Sequence, residues 1–176
     1  MANTIFRPLK FGKETFHPKS YDENSFVMDY ALEKGGGVPP HIHKHMDEHF
    51  LVQEGVMTFT VGGKKIVKKK GEDIFVPKGV THAIKNAGTE QVKMLVTYSP
   101  CLDTHRMFEI ITALDEENPG SVVNMMKYFY LAPRLGMKEF SSPSPAFVAN
   151  VLSSIVLVIG KLSGWDKLIE RFRIEN

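Results

Sequence analysis

The first hundred residues alternate between apolar and polar positions with a period of two. The alternation is clearest in three segments, at residues 25–32, 48–53 and 56–61. Such a pattern is typical of half-buried strands, because successive side chains of a strand point to opposite faces of the sheet. Four further short strands are predicted, at residues 64–68, 74–76, 82–85 and 92–98. Many short strands separated by turns rich in glycine and proline indicate a β-sandwich or β-barrel.

After Pro100 the pattern changes to the spacing of amphipathic helices. Four helices are predicted, from residue 104 to the Asn-Pro-Gly stop at 118–120, from 121 to 133, from 145 to 160 and from 165 to 173. Ser144 is expected to cap the third helix, with Pro145 at its first position. The chain is therefore expected to comprise a barrel domain at residues 1–100 and a helical extension at residues 101–176, packed on the barrel or at a dimer interface.

The amino-acid composition argues against several kinds of partner and structural feature. The 22 basic and 20 acidic residues give a net charge of +2, which does not suggest a nucleic-acid partner. Cys101 is the only cysteine, so an intramolecular disulfide is impossible. The first ten residues contain no continuous apolar stretch, and we expect a cytoplasmic protein. The uncharged run from 145 to 160 is shorter than a membrane span, which needs about 20 apolar residues, so no membrane span is expected.

Histidines cluster around one carboxylate. His41, His43, His45 and His49 lie within nine residues of one another, beside Glu48. His41 and His43 share a face if the segment is extended, and a turn before residue 48 brings the carboxylate back beside them. His82 opens another predicted strand after a Pro-Lys-Gly turn and is the candidate for a fourth ligand. Imidazole and carboxylate ligands suit one divalent transition-metal ion, such as Fe, Mn, Ni, Cu or Zn.

The spacing of these residues resembles the two sequence motifs of the cupin superfamily. The first motif is matched at every position, by Gly35, His41, His43, Glu48 and Gly55. The second is matched as fully, by Gly71, Pro77, Gly79, His82 and Asn86. Ten matched positions make a strong signal, and the resemblance covers residues 35–98. It implies a mainly β fold, a double-stranded β-helix (jelly-roll) barrel with the metal at its centre and a C-terminal α-helical extension outside the motifs. It also implies a homodimer.

A site of this kind leaves coordination positions open for water, oxygen or substrate, which is typical of catalytic metals. Glu48, if it detaches from the ion, is a candidate general base. The predicted substrate pocket is lined by apolar and aromatic side chains, namely Met28, Tyr30, Phe50, Met94 and Tyr98. Such a wall suits a small, largely apolar organic molecule better than a charged sugar.

The leading hypothesis is a metal-dependent dioxygenase similar to the quercetinase-like cupins. The alternatives are a non-redox metal enzyme, either an isomerase or a decarboxylase, and a binding or sensing protein without turnover. Two neighbouring histidines are expected to lie outside the metal site. His45 is placed in the turn or at the pocket rim, and His49, with the opposite parity to Glu48, is expected to point outward.

Overall fold

A computed structural model of the protein describes residues 8–137, 142–143 and 146–173, and of residues 142, 143, 146, 148 and 149 the backbone alone. The cap and first position predicted for the third helix, Ser144 and Pro145, lie outside the described residues. The described part consists of a β-barrel followed by helices.

Eleven strands are found among the described residues. They are β1 (Leu9–Phe11), β2 (Glu14–Tyr21), β3 (Phe26–Leu32), β4 (Gly37–Ile42), β5 (Asp47–Glu54), β6 (Val56–Val61), β7 (Lys64–Lys69), β8 (Asp73–Val76), β9 (His82–Lys85), β10 (Val92–Ser99) and β11 (Ser142–Pro143). They form two sheets, one in the order β1-β2-β3-β10-β5-β8 and the other in the order β11-β4-β9-β6-β7. All pairings are antiparallel. The predicted mainly β jelly-roll barrel with C-terminal helices is confirmed.

The barrel core forms where the inward faces of the two sheets meet. In β3 every second residue is buried, so that Phe26 and Met28 are each only 1% exposed. Phe50 of one sheet and Phe59 of the other bring their ring centroids within 5.1 Å. Burial of one such side chain contributes about 1.5–3 kcal/mol, so the alternating pattern fixes which face of each strand points inward.

The asparagine of the second motif has a structural role. Asn86 is fully buried, and its side-chain amide donates hydrogen bonds to the carbonyl oxygens of Leu32 and Glu90, at 2.9 and 2.8 Å. Its backbone N–H donates to the carbonyl of Gly36 and its own carbonyl accepts from Gly35. Asn86 therefore ties the end of β9 to the turn that follows β3.

Four helices follow the barrel in the described residues: α1 (Thr104–Glu117), α2 (Val122–Arg134), α3 (Ala146–Leu162) and α4 (Lys167–Phe172). Helix α1 presents Phe108 to the barrel, where its ring lies 4.6 Å from that of Phe16 and 5.7 Å from that of Phe26. The hydroxyl of Ser121 accepts a hydrogen bond from the Val123 N–H at 3.3 Å and caps α2, as its position in the sequence predicts.

Helix α3 packs through one narrow face on α2. A Cβ atom at Gly160 would lie 2.2 Å from the ring of Tyr130, so only glycine permits this approach. The opposite face of α3 is exposed, with Phe147, Val151 and Val158 retaining 68%, 55% and 59% of their accessible surface. The extension was expected to pack on the barrel or at a dimer interface, and in the single chain the apolar residues of α3 are largely uncovered. Within the described part of the chain, no helix combines the length and apolarity needed to cross a membrane.

Candidate metal centre

The four predicted ligand residues converge at one point inside the barrel. His41 on β4 lies directly opposite His82 on β9, and His43 follows two residues after His41. Glu48 comes from β5 in the other sheet. One ligand atom from each residue lies within 4.8 Å of the ligand atoms of the other three, and all four residues are buried. Both sheets therefore contribute to the cluster.

Turns on either side of the cluster determine its geometry. The pairing of β4 with β9 is irregular between Val38 and His41, at the Pro39-Pro40 step, because proline has no N–H with which to continue the ladder. At the start of β9, Gly79 adopts a φ of 79°, which favours glycine. Its N–H donates to the His43 carbonyl at 2.7 Å and links the two ligand-bearing segments.

Backbone hydrogen bonds orient two of the imidazoles. The Nδ1 atom of His41 lies 2.8 Å from the Pro39 carbonyl oxygen, and that of His82 lies 3.0 Å from the Val80 carbonyl oxygen. A carbonyl only accepts, so Nδ1 donates in both rings and Nε2 is directed toward the centre of the cluster. Such fixing of the ring by its second nitrogen is typical of metal-ligating histidines.

The ring nitrogens of His43 indicate whether the cluster fits a metal ion. Its ring is 2% exposed, yet both Nδ1 and Nε2 are buried without a hydrogen-bond partner among the described residues. Leaving a buried polar atom unpaired costs about 1–3 kcal/mol. The nearest acidic oxygen, Oε2 of Glu48, lies 3.6 Å from Nε2, which is beyond hydrogen-bonding distance. A metal ion at the centre would satisfy Nε2, so the residues fit a transition-metal site.

Protonation in the metal-free cluster follows from burial and from the ion pair. Burial lowers the pKa of His43 to about 4 and also lowers that of His41, so both rings are neutral at pH 7. Burial alone would lower the pKa of His82, but the hydrogen bond with Glu48 outweighs it and raises the pKa. Burial likewise opposes ionisation of Glu48, whose pKa is nevertheless lowered by His82 and the other histidines. Both shifts favour the charged forms, an imidazolium at His82 and a carboxylate at Glu48, whose Nε2 and Oε2 atoms are separated by 2.8 Å.

A cavity of about 510 Å³ opens beside the cluster. His41 and Glu48 form part of its wall, and the remaining wall is mostly apolar. The barrel contributes aromatic side chains and α1, α2 and α3 cover the far side, through Met107, Phe108, Ile111, Met125, Tyr128, Phe129 and Leu152. Cavities of this size accommodate small organic ligands.

The structure brings most of the predicted pocket residues to this cavity. Met28, Tyr30, Phe50 and Tyr98 line it, whereas Met94 is fully buried in the barrel core and is not among the lining residues. Met94 lies on the inward face of β10, as predicted for a pocket residue. It is paired with Tyr30 on β3 and Val52 on β5, at a level where the core is packed.

The two histidines expected outside the cluster are outside it. His45 is exposed at the bend after β4. His49 faces outward on β5, where its Nε2 lies 2.8 Å from Oδ2 of Asp73. The alternation along β5 therefore separates Glu48 from its neighbour as the sequence indicates.

One polar residue of the cavity was not predicted. Glu14 on β2 lines the cavity, and its Oε2 atom accepts a hydrogen bond from the Tyr30 hydroxyl at 2.8 Å. The sequence does contain a signal for Glu14. It lies two residues before Phe16, which is 2% exposed, and therefore on the same face of the strand. Pro18 and the polar residues after it obscured the alternation, so the strand was not predicted.

Comparison with known proteins gives one family match. The family model for the cupin domain matches residues 28–98. Mannose-1-phosphate guanylyltransferase 2 of Escherichia coli O157:H7 is 30% identical over 84 residues, which are 48% of this chain and 17% of that protein. The tetracenomycin polyketide synthase protein TcmJ of Streptomyces glaucescens is 27% identical over 77 residues, which are 44% of this chain and 52% of that protein.

A solved structure shares the fold at low sequence identity. An RmlC-like cupin from Shewanella frigidimarina NCIMB 400 superposes with a TM-score of 0.53 at 18% identity, covering 60% of this chain and 93% of that one. The chain spans less than a fifth of the guanylyltransferases that it matches and about half of TcmJ. These similarities therefore support the fold of the matched residues. They do not assign the activity of any relative to this chain. Residues 28–98 therefore match a cupin domain, and the C-terminal helices lie outside the match.

Proposed function

We propose that His41, His43, Glu48 and His82 bind one divalent transition-metal ion, and that the cavity beside them binds a small, largely apolar organic molecule. The observation that carries the first part is His43, whose two ring nitrogens are buried without a hydrogen-bond partner among the described residues. The second part is supported by the apolar wall and by the absence of lysine and arginine from the described residues that line the cavity. Away from the ion itself, a charged group of a ligand would find no countercharge on these residues.

The reaction we favour is an oxygen-dependent cleavage of the bound molecule, catalysed by a dioxygenase-type enzyme. When bound, the ion would supply redox or Lewis-acid chemistry at the cavity wall formed by His41 and Glu48. The apolar side chains around it would exclude water and hold a flat molecule against that wall. Glu48 would serve as general base whenever its carboxylate is released from the ion.

An oxygen-uptake assay tests this reaction. Protein loaded separately with Fe(II), Mn(II), Ni(II), Cu(II) or Zn(II) is mixed with quercetin, a flat, uncharged aromatic probe that carries hydroxyl groups, in air and under argon. The dioxygenase hypothesis expects loss of quercetin with matched oxygen uptake for a redox-active ion, and none with zinc or under argon. Turnover that continues without oxygen would rule out the dioxygenase. Retention of unaltered quercetin would instead support a binding protein.

A second candidate is a non-redox metal enzyme, an isomerase or a decarboxylase. The observation that favours it is Glu14, a second carboxylate in the cavity that accepts a hydrogen bond from Tyr30 and so can handle a proton away from the cluster. This candidate expects activity with zinc, which is redox-silent, and no dependence on oxygen. The same panel of metal-loaded proteins therefore separates the two candidates.

We also propose that the protein is a homodimer in which the exposed face of α3 is covered by a second copy. Val151, Ile155, Val158 and Leu162 follow one another at intervals of four, three and four residues, the spacing with which helices pair, and all four are exposed. Light scattering after size exclusion tests this for Val158→Lys, with Ser153→Lys, at an exposed position away from this face, as the matched control on the same helix. The proposal expects a monomer only for Val158→Lys. A wild-type monomer would contradict it.

A further inference from the structure

Glu14 and Tyr30 form a second polar region in the cavity, separate from the four residues of the cluster. Both side chains line the cavity, and the Tyr30 hydroxyl donates to Oε2 of Glu14 at 2.8 Å. The Tyr30 ring stacks on Phe16, with centroids 5.2 Å apart and planes 1° apart, which fixes the direction of the hydroxyl. Because Tyr30 occupies only one carboxylate oxygen, the other remains available to a bound molecule.

The surroundings of Glu14 favour exchange of a proton. Burial raises the pKa of Glu14 to about 7, although the hydrogen bond from Tyr30 opposes the shift. The other titratable groups of the cavity wall are Tyr30, His41, Glu48, Tyr98 and Tyr128, and none of the lining residues is a lysine or arginine. The pKa values of Tyr30 and Tyr98 are raised well above 10, first by burial, so both hydroxyls stay protonated. Glu14 is thus the group in this region that changes charge near neutral pH.

We propose that Glu14 binds a hydroxyl group of the substrate and accepts its proton, so that the substrate class is a neutral, largely apolar molecule bearing a hydroxyl. This inference rests on the proposed function, because it assumes that the cavity binds the substrate. In the step, the O–H bond of the substrate breaks and an O–H bond forms on the free oxygen of Glu14. The electron pair stays on the substrate oxygen, and Tyr30 continues to donate to Oε2 of the now neutral carboxyl group.

The chemistry of the wall excludes the obvious other ligands. At Glu14, away from the proposed ion, a phosphate or carboxylate would meet a carboxylate with no lysine or arginine among the described lining residues. A hydrocarbon without polar groups would desolvate the ionised form of Glu14 and offer it no hydrogen bond in return. A hydroxyl is small, neutral and able to donate, which matches a carboxylate that has one oxygen already occupied.

The test uses two probes that differ by one hydroxyl, 2-naphthol and naphthalene. Dissociation constants are measured at pH 8 by fluorescence for the wild type, Glu14→Gln and Tyr30→Phe, with Glu23→Gln, at an exposed position, as the matched control. Since a hydrogen bond to a charged group contributes about 1.5–3 kcal/mol, Glu14→Gln is expected to weaken 2-naphthol binding about tenfold or more. Naphthalene binding should not be weakened, because the substitution removes a charge that naphthalene would desolvate.

Emission of the bound probe gives a second readout that a merely structural role would not change. 2-Naphthol becomes a stronger acid when excited, and it emits as naphtholate only where an acceptor lies within hydrogen-bonding reach. Naphtholate emission from the complex is expected in the wild type at pH 8, and it should be lost in Glu14→Gln and in the wild type at pH 5. It should persist in Glu23→Gln, the matched control, so that its loss in Glu14→Gln identifies Glu14 as the acceptor.

Equal weakening of both probes by Glu14→Gln, or naphtholate emission that survives this substitution, would overturn the proposal. The metal content of the same samples separates this failure from failure of the proposed function. Protein that holds one ion per chain but does not discriminate 2-naphthol contradicts the role of Glu14 alone. Protein that retains no ion but shows the full dependence on Glu14 contradicts the metal site and supports Glu14.

Discussion

Two adjacent residues of β5, Glu48 and His49, form histidine–carboxylate pairs on opposite faces of one sheet. The distance from Nε2 to the carboxylate oxygen is 2.8 Å in both, between His82 and Glu48 inside the barrel and between His49 and Asp73 outside it. The side chains of the inner pair are 2% and 3% exposed, and those of the outer pair are 43% and 61% exposed. The two pairs thus share a geometry and differ in solvation.

Solvation decides what each pair can do. A charge interaction is several times stronger where the surroundings exclude water, and an unpaired charge is correspondingly more costly there. His41 and His43 add two neutral imidazoles to the inner pair, whereas the outer pair stands at the surface of the barrel. The distance between nitrogen and oxygen does not separate the two pairs. Burial and the nearby imidazole nitrogens distinguish the candidate metal centre from the surface contact.

Removal of one inner ligand is expected to have the largest effect. His82→Gln should weaken the binding of Zn(II) and Mn(II) at least about a hundredfold, because loss even of groups that only orient a ligand costs 10–100-fold. Competition with a chromophoric chelator measures the affinity. His49→Gln, the matched control on the outer pair, should bind both ions as the wild type does. Equal affinity in the two variants would show that the cluster is not the metal site.

The inner ion pair can also be broken without metal. Glu48→Gln removes the group that raises the pKa of His82, so burial is expected to leave this imidazole neutral, and we expect the free energy of unfolding of the metal-free protein to fall by about 1–3 kcal/mol with the loss of the buried contact. Urea denaturation at pH 7 measures this. The double variant Glu48→Gln/His82→Gln should be no less stable than Glu48→Gln, since the contact between the two side chains is already lost in the single variant. A double variant less stable than the single one would contradict the ion pair.

The inner cluster could be predicted from the sequence because its signals are local. The His-x-His spacing places His41 and His43 on one side of an extended segment, and the alternation along β5 places Glu48 inward and His49 outward. His82 was a candidate from the turn and strand around it, and the family resemblance supported it, since no local rule pairs β4 with β9. The strands also followed from alternation, and those predicted at residues 56–61 and 82–85 have the predicted bounds.

The far side of the cavity could not be predicted in this way. Glu14 reaches the site through the pairing of β2 with β3, and Phe108 through the packing of α1 on the barrel. Both contacts depend on how distant segments meet, which hydrophobic periodicity does not encode. The exposure of α3 could not be predicted for the same reason. The sequence of an apolar helix shows the same pattern whether or not the rest of its chain covers it.

Glu14 lies between the two pairs in burial, and its effect on stability should depend on pH. Its folded pKa of about 7 exceeds the usual glutamate pKa of 4.5, so its contribution is complete below pH 4.5 and is lost as the pH rises through 7. Between pH 5 and pH 8 the free energy of unfolding of the wild type should fall relative to Glu14→Gln, by about 1–2 kcal/mol after allowance for partial exposure. Urea denaturation of both proteins at the two pH values gives the difference.

The titration of His43 changes the free energy of unfolding in the opposite direction over part of the same pH range. Because its pKa is lowered to about 4, it makes the protein more stable as the pH rises from 4 to 6.5. The effect is common to the wild type and Glu14→Gln and cancels when the two are compared. A difference between the proteins that does not change with pH would show that Glu14 titrates normally.

The outer pair gives the smallest expected effect. The hydrogen bond from His49 lowers the pKa of Asp73, but both groups remain solvated, so water replaces the contact when it is lost. His49→Gln should leave the midpoint of thermal unfolding at pH 7 within the error of the measurement. Asp73→Asn should behave in the same way, because each side chain keeps its hydration. A loss of stability comparable to that of Glu48→Gln would mean that the shared 2.8 Å distance, and not burial, determines the strength of these pairs.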